Sequence, residues 1–187
     1  MRDKKVRAPK FSWSFLLPNY WLTWLNSISW LPYRLQLWLG RGLGQLIKLL
    51  AAKRYQIAKR NLELCFPDYS PQQRSQILEA NVANAGMALL ETSMGWWWPT
   101  WRVARKAEFE GYEQVDAILA KGKGVLVYAI HNMNLEFSCR VAGLKIPSVA
   151  FYRKHNNKLM DYMQYHGRNR SNKYMVHKRD VRGLMSA

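Results

Sequence analysis

The chain has 187 residues, 49% hydrophobic and 22% charged, with 9 Trp and 10 Tyr; this excludes a disordered, low-complexity or collagen-like chain and suits one domain with its own core. The 29 Lys and Arg against 12 Asp and Glu leave a net charge of +17, which calls for an anionic partner: nucleic acid, anionic lipid or a phosphorylated substrate. Cys65 and Cys139 stand far apart, outside any Cys-x-x-Cys pair, which fits a reduced compartment and argues against a structural zinc site.

Twelve basic residues and one acidic residue fall in positions 1–60, seven and nine in 61–140, and ten and two in 141–187. A basic, Trp-rich front followed by a near-neutral middle reads as a membrane-associated anchor over 1–33 joined to a globular domain over 34–187. After the cationic stretch from Arg2 to Lys10, an uncharged run carries Trp13, Tyr20, Trp21, Trp24 and Trp30, rings that favour the headgroup layer of a bilayer. Pro18, Asn19 and Asn26 interrupt it. Its cleanest part, Tyr20 to Tyr33, would be about 21 Å long as a helix, short of a hydrocarbon core about 30 Å thick. An interfacial or dipping helix is expected rather than a full span; composition alone also admits an aromatic-rich core helix.

From Leu35 to Arg60 the pattern is helical, and its cations make either a basic face toward an anionic membrane or an ordinary solvated face. Cys65-Phe66-Pro67-Asp68 ends that element. Ser70 as N-cap and Pro71 at the first helical position open a long helix running to about residue 95, with Leu78, Val82, Ala85, Leu89 and Trp96 as its core stripe. Tyr112 to Lys121 reads as a short helix closed by Gly122. Val125 to Ile130 is a continuous apolar run expected to be a strand buried on both faces, and Ser148 to Tyr152 a second one. Helices are expected over 136–141 and 157–168, with another beginning at Val181. This order predicts an α/β fold with a central, mostly parallel sheet flanked by helices, where ligands gather at the carboxyl ends of the strands.

His131 stands at such a strand end, and Glu136 follows in a His-x-x-x-x-Glu spacing. Imidazole is suited to take a proton from an alcohol near neutral pH, and a carboxylate on its other nitrogen would fix the tautomer and raise its basicity. The pair is chemically sufficient for acyl transfer to a hydroxyl. The plain alternatives are a satisfied strand-end histidine and an exposed helix-start carboxylate.

Several ordered segments carry a resemblance: Tyr20-Trp21-Leu22-Thr23-Trp24-Leu25, Arg60-Asn61-Leu62-Glu63-Leu64-Cys65-Phe66-Pro67, Gly86-Met87-Ala88-Leu89-Leu90-Glu91-Thr92, His131 with Glu136, Tyr152-Arg153 with His155-Asn156-Asn157, and Gly167-Arg168 with Arg170-Ser171-Asn172-Lys173. In these the chain resembles, over nearly its whole length, the bacterial late acyltransferases of lipid A biosynthesis. The resemblance implies a fold like that of the glycerolipid acyltransferases and a place on the cytoplasmic side of the inner membrane. It implies transfer of a fatty acyl group from acyl carrier protein to a hydroxyl of the Kdo-bearing lipid A precursor. His131 would be the base, Glu136 its charge partner and Arg168 an essential cation that binds phosphate or stabilises the oxyanion; Arg153, Asn156 and Arg170 would contribute to substrate binding. No metal and no cofactor is implied, since the thioester carries the activation. Inner-membrane lipids are the expected surroundings. Family members also continue past the position of Ala187 with further strands and an acidic motif, so the C-terminal part of the fold is expected to be missing here and this chain to be impaired in transfer. Asn132 stands where the family usually has an aromatic residue. A rival of another class is a non-catalytic basic module on membrane or nucleic acid, with Arg168, Arg170, Lys173, Lys178, Arg179 and Arg182 on phosphates; the family reading expects no nucleic acid.

Overall fold

The computed structural model describes residues 21–185. Most of the anchor expected over 1–33, including Trp13, Pro18 and Tyr20, therefore lies outside the described residues. Helix α1 (Trp21–Ile28) is followed by a turn and by α2 (Tyr33–Leu50), so the segment up to Tyr33 is broken rather than one continuous helix. The break is built from polar groups. Ser29 is fully buried, its hydroxyl accepts from Trp98 Nε1 at 3.1 Å, and Gln36 Nε2 donates to the carbonyls of Ser29 (2.9 Å) and Leu31 (2.6 Å). Among the described residues no helix is long and apolar enough to cross a membrane.

The pattern read as one helix from Leu35 to Arg60 is two, because Ala51 leaves helical geometry at φ −117°, ψ 42° before α3 (Ala52–Cys65) begins. The long helix α4 (Pro71–Trp97) begins as its sequence dictates. Gln73 N donates to Ser70 Oγ at 3.2 Å, Ser70 N donates to Gln73 Oε1 at 2.8 Å, and Pro71 occupies the first turn, satisfying donors that a helix start leaves open. It stops before Pro99, which disfavours helical backbone at the residue preceding it.

Helix α4 is the axle of the molecule. Leu25 of α1 and Met87, Leu90 and Met94 of α4 form the core with Trp98 and with Val103 of α5 (Thr100–Ala104); Leu37 and Leu43 of α2 pack against them. Contact between α2 and α4 is closest at glycines. A Cβ on Gly86 would lie 2.0 Å from Gly40 O, and one on Gly44 would lie 2.3 Å from Val82 O. Only two hydrogens at these positions let the backbones meet.

After α6 (Tyr112–Leu119), closed by Gly122 at φ 69°, the chain departs most from the sequence reading. Residues 125–130 form no strand, and Leu126 and Tyr128 are each 97% exposed. An apolar run becomes a strand only beside a partner that takes its N–H and C=O groups, and among the described residues nothing pairs with it. Helix α7 (Leu135–Lys145), β1 (Ser148–Tyr152), α8 (Lys158–Asn169) and β2 (Asn172–His177) then build a parallel βαβ unit, followed by α9 (Val181–Met185). A parallel pairing is present, but it joins β1 to β2 rather than to the expected strand at 125–130, and it makes a two-stranded sheet beside a helical body rather than a central sheet. Strand β1 is exposed at Ser148 and Phe151 and half-buried at its other three residues instead of being buried throughout. Its partner β2, unread in the sequence, carries the buried Met175 and Val176.

Candidate functional site

Three helices meet at one point through glycines. A Cβ on Gly95 of α4 would stand 2.8 Å from the Glu136 carbonyl, one on Gly143 of α7 would stand 2.3 Å from Ser171 O, and one on Gly167 of α8 would stand 2.5 Å from Trp96 Cγ. This backbone-level approach brings Glu136, near the start of α7, onto Arg168, near the end of α8. Arg168 Nε donates to Glu136 Oε1 at 3.1 Å and Oε2 at 3.0 Å, Nη2 donates to Oε1, and Trp96 Nε1 donates to Oε2 at 2.8 Å. With its amide oxygen turned toward the guanidinium, Gln164 accepts from Arg168 Nη1 at 2.9 Å and Nη2 at 3.0 Å. Both side chains of the ion pair are largely shielded from water. The carboxylate is therefore locked by a forked cation and an indole, an arrangement with one geometry.

Beside this pair lies a small cavity of about 10 Å³, lined also by Cys139, Arg140 and Asn172. Burial first, and then the Glu136 charge, push the Cys139 thiol above the usual thiol range, against an opposing pull from Arg168; the thiolate, the nucleophilic form, is disfavoured. Arg140, one helical turn after Glu136, is 4% exposed. Its Nη1 donates to Arg170 O and Ser171 Oγ, both at 3.0 Å, and its Nη2 donates to Thr100 Oγ1 at 3.0 Å. Burial first, and the nearby Arg170 charge second, depress its proton affinity below the usual guanidinium range. Arg170 Nη1 donates in turn to Trp96 O at 2.8 Å. Arg168 alone contacts the carboxylate, while Arg140 and Arg170 are held beside it by Thr100, Ser171 and the Trp96 carbonyl, so this neighbourhood carries three guanidinium groups to one carboxylate.

The structure brings together Glu136, Arg168 and Arg170 of the sequence-derived candidates, and keeps others apart. His131 is exposed on the segment leading into α7, and among the described residues it makes no hydrogen bond to Glu136, whose oxygens Arg168 and Trp96 occupy. Arg153 and Asn156 are exposed in the turn between β1 and α8. That turn is ordered by Asp161, whose Oδ1 accepts from His155 N at 2.8 Å, and by the Asn157 cap, whose Oδ1 accepts from Leu159 N (2.9 Å) and Met160 N (3.1 Å). Sequence reasoning assigned Trp96 to the core and passed over Arg140. The four-residue step from Glu136 to Arg140 was the available signal, since it sets both on one helix face. Among the described residues no group of three His, Cys, Asp or Glu could hold a metal ion.

The family model described as bacterial lipid A biosynthesis acyltransferase matches residues 8–187. The chain is 42% identical to the lipid A biosynthesis lauroyltransferase of Escherichia coli (strain K12) over 187 residues, covering 97% of this chain and 61% of that protein. It is 42% identical to the lipid A biosynthesis palmitoleoyltransferase of the same organism, over 95% of this chain and 60% of that one. A lipid A biosynthesis acyltransferase of Haemophilus influenzae is 38% identical over 98% of this chain and 61% of its own length. The chain thus spans about three fifths of the length of these curated relatives. No solved structure is a significant match.

Proposed function

The chain belongs to the family of bacterial lipid A biosynthesis acyltransferases, and from that premise we propose that it transfers a fatty acyl chain from acyl carrier protein to a hydroxyl of the Kdo-bearing lipid A precursor at the cytoplasmic face of the inner membrane. The observation that carries this reading is the interlocked Glu136, Arg168 and Trp96 cluster, directly downstream of His131 and beside Arg140 and Arg170. In this reading His131 removes the proton of the acceptor hydroxyl as the oxygen attacks the thioester carbonyl. Glu136 acts through what it holds: with both oxygens engaged, it fixes the α7 start and the Arg168 guanidinium in one arrangement. The net positive cluster stabilises negative charge, either the oxyanion of the tetrahedral intermediate or a phosphate of the acceptor. The collapse of that intermediate expels the carrier's thiolate, which takes the proton from His131. Basic residues at both ends of the chain suit the two anionic substrates, an acidic carrier and a phosphorylated lipid. No resident cofactor enters the reaction.

The test is transfer from acyl-acyl carrier protein to lipid precursor, with His131→Ala introduced in this chain and at the matching position of the E. coli lauroyltransferase. The expected loss is at least about a hundredfold. Near-full activity after the substitution, in a folded protein, removes His131 from the mechanism.

A further inference from the structure

Helix α2 is apolar on two opposite sides. Gly40 and Gly44 face α4, and about half a turn away, at 3.6 residues per turn, lie Leu35, Trp38, Leu46 and Leu49. These four are 41%, 68%, 49% and 77% exposed. A helix that covers its domain on one side and shows Leu and Trp on the other is the mark of an element with a second apolar neighbour. We propose that this outer stripe of α2 lies on an anionic lipid bilayer, with the helix parallel to the surface. This surface is separate from the Glu136 cluster, and the inference does not depend on acyl transfer.

Three features select lipid. From position 21 to position 62 the chain has no acidic residue and seven basic ones, and Arg34 and Arg41 lie exposed along one flank of the stripe. That is charge complementarity to an anionic headgroup layer. The stripe's large side chains offer one hydrogen-bonding group, the Trp38 indole, whereas a protein interface carries about one hydrogen bond per 100–200 Å²; a hydrocarbon boundary requires none. At the N-terminal end of α2 aromatic rings lie under cations, with Arg102 4.4 Å from the Trp30 ring centre and Lys106 5.8 Å from that of Tyr33. Amphipathic rings and cations at one level are what the headgroup zone accommodates. A second copy of the chain would oppose cation to cation.

The test compares the full chain with a Trp38→Ala/Leu49→Gln double variant. Both positions point away from α4, so the thermal unfolding curve should be unchanged. Each protein is moved from detergent onto vesicles of phosphatidylethanolamine with phosphatidylglycerol, and the bound fraction is measured by flotation. The variant should partition at least about tenfold more weakly, equivalent to about 1.4 kcal/mol. Parent binding should fall on added salt and on vesicles of phosphatidylcholine alone, and Trp38→Phe should remove part of the fluorescence quenching by brominated lipid. Partitioning of the double variant equal to that of the parent overturns the proposal. So does a parent dimer that the substitutions convert to monomer with vesicle binding intact, which assigns the stripe to a second copy. Greater protease access to residues 1–20 with unchanged partitioning also overturns it and gives the stripe to the chain's own N-terminal segment.

Discussion

Gly42 and Gly44 stand two residues apart on α2, and replacing each by Ala should shift stability in opposite directions. At Gly42 no atom lies within 4 Å of the position a Cβ would take. The substitution there should show only the intrinsic preference of Ala over Gly in a helix, a gain of up to about 1 kcal/mol. At Gly44 the new methyl carbon would stand 2.3 Å from Val82 O, 2.9 Å from Val82 C and 3.2 Å from Ala83 Cα. Favourable carbon contacts begin near 3.5 Å, so the overlap with the oxygen exceeds an ångström. The opposing atoms are α4 backbone, which no rotamer change can move. The two helices must separate along a contact that also positions Leu37 and Leu43 on the core. Overpacking of this kind costs about 1–3 kcal/mol, more than the propensity gain returns. An overlap this deep against backbone belongs at the upper end of that range, so after a propensity gain of up to about 1 kcal/mol the expected net result for Gly44→Ala is a loss of about 2 kcal/mol, at roughly 2–4 °C in Tm per kcal/mol for a chain of this size. Thermal and urea unfolding of both variants in one detergent buffer would check it. Equal stabilisation of the two would refute the close approach of α2 and α4.

Glu91, half-buried on α4, has its proton affinity raised by desolvation; the unfolded chain therefore ionises first, and the parent loses stability as pH rises from the usual carboxylate range through the raised value. Glu91→Gln should be more stable than the parent at pH 7 and converge with it near pH 4; an identical difference at both pH values would refute the burial argument. In a double-mutant cycle of Glu136→Gln and Arg168→Gln followed by unfolding, each single change strands a shielded charge, so the coupling should exceed about 1 kcal/mol. Additivity within about 0.3 kcal/mol would show the pair to be energetically idle.

Features determined within a few residues were legible in the sequence. The Ser70–Pro71 start, the Gly122 stop, the bounds of β1 and the helix opening at residue 157 all depend on neighbours along the chain, and each appears within a residue of where the sequence places it. Val125–Ile130 shows the limit of that logic. Its local pattern is at least as strand-like as that of Ser148–Tyr152, but β1 has β2 beside it and residues 125–130 have no ladder among the described residues. The site shows the same limit at the level of side chains. Spacing proposed His131 with Glu136, five positions apart, whereas the hydrogen bonds join Glu136 to Arg168 and Trp96, 32 and 40 positions away. Those partners depend on Gly95, Gly143 and Gly167 letting three helices touch, and a glycine inside a helical pattern gives no sequence sign of what approaches it.

The exposed run ahead of α7 has a consequence for how substrate affinity and turnover divide. His131 ends a stretch in which residues 121–133 are all exposed, while Glu136 and Arg168 are braced by three helices. His131 and the Glu136–Arg168 pair thus belong to regions of very different local stability. Holding the backbone of residues 125–130 in one path costs about 1–2 kcal/mol per residue, and the fold offers little apolar contact there to offset it. Whatever presses on this run, in the proposed reaction the acyl chain or its carrier, spends part of its binding energy on ordering His131. If the proposed reaction holds, substitutions such as Leu126→Gly should lower kcat together with apparent affinity, and shortening the donor's acyl chain should do the same, because the lost contact would have ordered His131.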